Sequence, residues 1–239
     1  MSPTRRNYIL RLCGRILAFI LCLAACFLKP EWFRVLEGWR FFKEFSPLHL
    51  LWGIWVIDMF LQILPIKNRL ALGSQKLFAN RFRPIREKFK KEALKNHVVS
   101  ATKAAYKVMI LWGLLTLLLG ALYLFGPLNR RAIFMIAVFF YVCDLICVLI
   151  WCPFRLIMKN KCCTTCRIFN WDHLMMFAPL SFLGGFFSLS LVGMAVLAFL
   201  VWELSVMIYP ERFWEVTNVA LQCCECTDKL CTQYCQKLR

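Results

Sequence analysis

The sequence predicts an all-α fold: a polytopic transmembrane helical bundle of about six membrane segments, the last two forming a short hairpin. Three observations lead there. Of 239 residues, 61% are hydrophobic and the mean hydropathy is +0.62, well above the roughly 45–50% apolar content of soluble domains. The apolar residues gather into runs of span length. The Lys and Arg side chains behind a net charge of +17 fall in the gaps between those runs, where basic residues set topology. No base-stacking module accompanies them, so nucleic acid is not an expected partner.

Residues 1–28 are the first membrane or signal-like segment. Arg5, Arg6, Arg11 and Arg15 precede an unbroken apolar run over 16–28, and a basic head before such a run is expected in the cytoplasm. The run falls short of the about 20 residues of a full span, and Arg11 and Arg15, on one helical face, are expected to extend it by snorkelling. It ends in Leu23-Ala24-Ala25-Cys26, similar to the lipobox of bacterial lipoprotein signals. Packing in an apolar helix is the preferred reading there, and cleavage with lipidation at Cys26 the other.

Residues 29–46, an outer connection, carry Trp32, Phe33, Trp39, Phe41 and Phe42 among mixed charges, a composition suited to the headgroup layer. Residues 47–65 are the second span and hold Asp58. An acid in a span is costly unless it faces protein or water, so Asp58 is either a functional group or a bridge to a neighbouring helix.

The 66–104 loop is the most basic region, the strongest cytoplasmic signal in the chain. Within it Phe78, Phe82, Ile85 and Phe89 recur at helical spacing. An interfacial helix disturbed at Pro84 is therefore expected beside anionic lipid headgroups. Residues 105–152 hold the third and fourth spans, separated by a turn from Gly126 to Arg131 short enough to make them antiparallel neighbours. The fourth carries Asp144 between Cys143 and Cys147. Asp58 and Asp144 are expected at similar depth, as a pair for cation or proton handling or as helix-bridging acids.

Residues 153–173 form a cytoplasmic Cys loop. Residues 174–209 are an apolar stretch which, as one helix, would run to roughly 54 Å against a hydrocarbon core of about 30 Å. It must fold back, and Gly184-Gly185 with Ser188 and Ser190 offers the turn. The second arm carries Glu203, the third buried acid, and residues 210–239 are a polar, Cys-rich cytoplasmic tail.

The 14 cysteines divide by surroundings. Cys13, Cys22, Cys26, Cys143 and Cys147 lie in apolar segments, where a thiol packs as a small hydrophobe. Cys163-x-x-Cys166 and Cys223-x-x-Cys226 lie in polar segments, and two such units supply the four thiolates of a tetrahedral zinc site, with Cys162, Cys224 and Cys231 as substitutes. A reducing cytoplasm disfavours disulfides. Thiol redox chemistry, juxtamembrane acylation and an iron or iron-sulfur centre use the same residues and stay open. Cys152-Pro153 is similar to a fragment of membrane-bound polyferredoxins, without the cysteine run that holds their clusters.

The segments Cys-Pro-Phe-Arg at 152–155, Lys-Cys-Cys-Thr-Thr-Cys-Arg-Ile-Phe-Asn-Trp-Asp-His at 161–173, Pro-Glu-Arg-Phe at 210–213 and Cys-Thr-Asp-Lys-Leu-Cys at 226–231 together resemble a group of bacterial multi-pass membrane proteins. The resemblance covers about the C-terminal third. It implies a bacterial inner-membrane location and no activity. Asn170 or Asp172 is expected to cap the next helix, with Asp172 or His173 as the alternative partner of a metal ligand.

Two classes of function follow. The first is a non-enzymatic membrane protein whose zinc knuckle pins the Cys loop to the tail for assembly or recognition of a protein partner. The second is a transporter or redox protein using Asp58, Asp144 and Glu203, or the thiols. No Walker loop, nucleophile triad, zincin motif or dinucleotide fingerprint occurs, which argues against a soluble-type enzyme.

Overall fold

The computed structural model describes residues 3–64, 82–85, 90–159, 166–222, 224–225 and 230. In chain order its helices are α1 (Pro3–Leu28), α2 (Leu48–Ile63), α3 (Lys91–Leu124), α4 (Arg130–Leu149), α5 (Arg155–Met158), α6 (Asp172–Phe177) and α7 (Phe186–Ile208). Of these α1, α3, α4 and α7 are long and apolar enough to cross a membrane, and α2 is apolar but shorter. Among the described residues the only β pairing is an isolated bridge between Pro84 and Asn218.

α4 is the hub, packed against α1 on one side and α6 on the other, while α6 and α2 both pack on α7. Half of α4's most apolar window (50%) is buried, against 11% for α3. α4 is therefore the centre, and α3 lies at the rim with Leu111, Leu114, Leu117 and Leu118 turned outward, the surface a lipid-facing helix needs. Between α2, α4 and α7 sits an aromatic core. Trp55 contacts Phe177 and Tyr141 at ring separations of 5.0 and 5.6 Å, and Phe134 meets Phe187 at 5.9 Å, spacings at which edge-to-face contacts add to burial.

The bundle has two chemically distinct ends. At the aromatic end, 3-10 turns Pro30–Leu36 and Arg40–Phe42 cover the start of α7. The Gly38 carbonyl there accepts from the Phe186 amide at 3.0 Å. Arg130 pairs with Glu37 at 3.4 Å, and Arg131 donates to the Cys26 carbonyl at 3.2 Å. At the basic end the chain before α3 meets the chain after α7: the Val219 amide donates to the Arg83 carbonyl at 2.9 Å, and His97 stacks on Trp214.

Three expectations change. α3 begins at Lys91 rather than at residue 105, and its 34 residues run to about 51 Å, so its first turns extend the bundle at the basic end. Phe82 to Ile85 are not helical: Asn218 holds them, accepting from the Arg83 amide at 3.3 Å, while Phe78 and Phe89 lie outside the described residues. The chain between α5 and α7 turns at Gly184-Gly185 as expected, but Ser188 and Ser190 already belong to α7. Its first arm is a composite of 3-10 turn Arg167–Trp171, α6 and 3-10 turn Ala178–Leu183. Pro179, with no amide hydrogen to give, ends α6. Gly184 is left-handed at φ 69°. A Cβ on Gly185 would stand 2.3 Å from the Leu36 carbonyl oxygen, so only glycine lets the turn seat against the aromatic end.

Candidate functional site: a charged core around Arg15

Arg15 does not snorkel. α1 crosses α4 so closely that the guanidinium turns inward. Nη1 donates to Asp144 Oδ2 at 2.6 Å and to the Tyr141 carbonyl at 2.7 Å, and the guanidinium carbon lies 3.8 Å from the Tyr141 ring centre. Tyr141 and Asp144 are three residues apart on α4, hence on one face. Both side chains of the ion pair are almost sealed from solvent, at 9% and 13% exposure. In an interior this dry an ion pair with supporting hydrogen bonds holds its geometry firmly.

The network continues into α2. The Tyr141 hydroxyl donates to Asp58 Oδ2 at 3.3 Å, so Asp58 and Asp144 are joined through one tyrosine and one arginine. Gln62, one helical turn beyond Asp58, donates through Nε2 to Asp172 Oδ1 at 2.9 Å. The same oxygen accepts from the His173 amide at 2.7 Å and lies 3.0 Å from His173 Nδ1. Arg15, Asp58, Gln62, Asp144, Asp172 and His173 surround a cavity of about 20 Å³, which Tyr8 and Arg11 also line. That is room for about one water molecule. Gln62 Oε1 and His173 Nε2 are buried without a partner among the described residues.

Chemically this is three carboxylates and an imidazole sharing one interior with two guanidiniums. Of those guanidiniums, Arg15 is in an ion pair with one of the acids. A carboxylate in such surroundings is stable only with a partner or a proton. The arrangement therefore offers more than one group on which a proton can reside.

Glu203 stands apart. It receives both Arg167 nitrogens Nε and Nη2, together with the Trp171 indole at 2.8 Å, and Arg167 also donates to the Thr102 hydroxyl. This second cluster ties the composite arm to α3 and α7.

Of the predicted thiol ligands, Cys166 is half-buried beside Ala105, Val108 and Trp171, and Cys224 is exposed. Cys162, Cys163, Cys223, Cys226 and Cys231 lie outside the described residues. Among the described residues no three Cys, His, Asp or Glu side chains come close enough to share a metal ion. Cys22 packs in the main core as expected of a small hydrophobe. The predicted cap is absent: α6 starts after Trp171 with no side-chain cap, and both polar atoms of the buried Asn170 amide lack partners among the described residues.

Sequence reasoning missed Arg15, Tyr141, Gln62 and the roles of Asp172 and His173. Two signals were available: an arginine one residue before an apolar run, and a glutamine one turn after an intramembrane acid. No family model, curated protein sequence or solved structure matches this chain.

Proposed function

We propose that this is an integral membrane protein of six crossings, the four long helices, α2 and the composite arm over 167–183. In this reading both termini and the 66–104 loop face the cytoplasm, the loop against anionic headgroups, and the membrane is a bacterial inner membrane. Its functional site is the charged core, which exchanges a proton in the service of transport. The observation that carries this is Asp58, a carboxylate held by the Tyr141 hydroxyl rather than by a base, beside a water-sized cavity with two orphaned polar atoms. A merely structural bridge needs one acid per base, whereas a relay needs acids whose charge is left to a proton. Infrared titration of carboxyl C=O bands tests it. A band that grows on acidification in wild type should be lost or shifted in Asp58→Asn or Asp144→Asn and kept in Glu203→Gln. An identical band in all four proteins contradicts the proposal.

The zinc knuckle remains our second reading, with zinc favoured over iron or an iron-sulfur cluster, and with assembly or recognition of a protein partner as its purpose. What favours it is the basic end. Arg167 reaches Thr102 and Glu203, and Val219 pairs with Arg83, so the residue after Cys166 and the residues before Cys223 share contacts at one end of the bundle. Metal analysis of purified protein decides. Zinc lost on Cys163→Ser or Cys226→Ser supports the knuckle, and a metal-free wild type refutes it.

A further inference from the structure

A second cavity among the described residues lies beside the charged core. It is half-open, has a volume of about 240 Å³, and has an almost wholly apolar lining. This exceeds the about 150 Å³ of an apolar cavity that accepts benzene, so it has room for a substituted ring. Trp112 of α3, Phe140 of α4 and Phe154 give it aromatic walls, and Cys143, Cys147 and Cys152 face the same space. Cys147 and Cys152 line the same cavity five residues apart, near enough for the thiols to interact, because α4 ends at Leu149 and the chain leaves the helix just before Cys152-Pro153. Asp144 and Asp172 of the charged core form part of the wall.

Two neighbouring thiols on the wall of an apolar, aromatic-lined pocket at the edge of a bilayer have chemistry that neither an inert packing role nor the proton site uses. We propose that the cavity binds a lipophilic quinone and that Cys147 and Cys152 are its two-electron reductant. In the step the two S–H bonds break and one S–S bond forms. Two electrons and two protons pass to the quinone oxygens, giving the hydroquinone. A dithiol of the reducing compartment restores the pair by exchange. The inference stands on the cavity and the thiol pair, and does not rest on the proton reading of the Arg15 core.

The test is a single turnover with full-length protein, reduced, desalted and kept anaerobic, mixed with decylubiquinone, whose fully substituted ring has no hydrogen to lose in forming a stable thioether. Peptide mapping should find a Cys147–Cys152 disulfide with matching hydroquinone, and Cys147→Ser and Cys152→Ser should each abolish it. Met175→Trp, which fills the cavity, should block oxidation by the quinone yet leave the pair open to the small polar oxidant diamide. That diamide reaction also shows the variant's site to be intact. The proposal is overturned if decylubiquinone leaves the wild-type pair reduced while diamide oxidises it. It is also overturned if Met175→Trp leaves the quinone reaction unchanged, or if the quinone occupies the site, shown by protection of Cys147 from maleimide, without forming the disulfide.

Discussion

Two charged clusters lie inside this bundle among the described residues, and they are built on opposite principles. Around Glu203 one base meets one acid, and indole and hydroxyl partners complete the set. Around Arg15 three acids share an interior with two guanidiniums and an imidazole, Asp58 is held by a tyrosine hydroxyl rather than a base, a glutamine oxygen and an imidazole nitrogen are unmatched among the described residues, and a small void remains. An intramembrane charge by itself therefore says little about function. In the reading proposed above, closure marks a bolt, and an acid without a basic partner marks a site where a proton can be exchanged.

The difference should be largest in stability. Glu203→Ala strands the Arg167 guanidinium, which cannot shed its charge, and should cost about 3–5 kcal/mol, read as a large drop in unfolding temperature in detergent. Arg15→Leu breaks an ion pair of similar burial, but the acids left behind can take up protons. Its loss should be clearly smaller than that of Glu203→Ala at the same pH. Equal losses would mean that the Arg15 core is a bolt as well.

Neutralising Asp58 or Asp144 with Asn should leave folded protein abundant and remove exchange. Loss of folded protein from both variants would return these acids to a bridging role. Trp171→Phe deletes one hydrogen bond to a charged acceptor, worth about 1.5–3 kcal/mol. Tyr141→Phe deletes a longer hydrogen bond to Asp58 and should cost about 1 kcal/mol or less. If Tyr141→Phe proved the costlier of the two, the contrast between the clusters would fail.

Much of the bundle was legible because membrane length, basic gaps and the Gly184-Gly185 turn are local properties of the chain. The meeting of Asp58 and Asp144 was anticipated from the short turn between the third and fourth spans, and the two acids do share one network. Arg15 was not legible. A basic residue at the edge of an apolar run reads as snorkelling, and only the crossing of α1 over α4 turns it inward. Glu203 was grouped with the other acids on hydropathy alone, although its partner Arg167 sits 36 residues away in sequence. Long-range pairing of this kind leaves no periodicity to read. The composite arm was hard for a related reason: its sequence is apolar enough for a helix, and Pro179 together with contact to the aromatic end divides it into turns.

The most direct measurement is proton flux into proteoliposomes carrying a trapped pH dye, driven by a potassium diffusion potential. Wild type and Glu203→Gln, provided it remains folded, should acidify the lumen faster than protein-free vesicles, and Asp58→Asn and Asp144→Asn should fall to the protein-free rate. Flux no faster than empty vesicles in wild type, or flux retained in both aspartate variants, would contradict the assignment of the Arg15 core as a proton-exchange site.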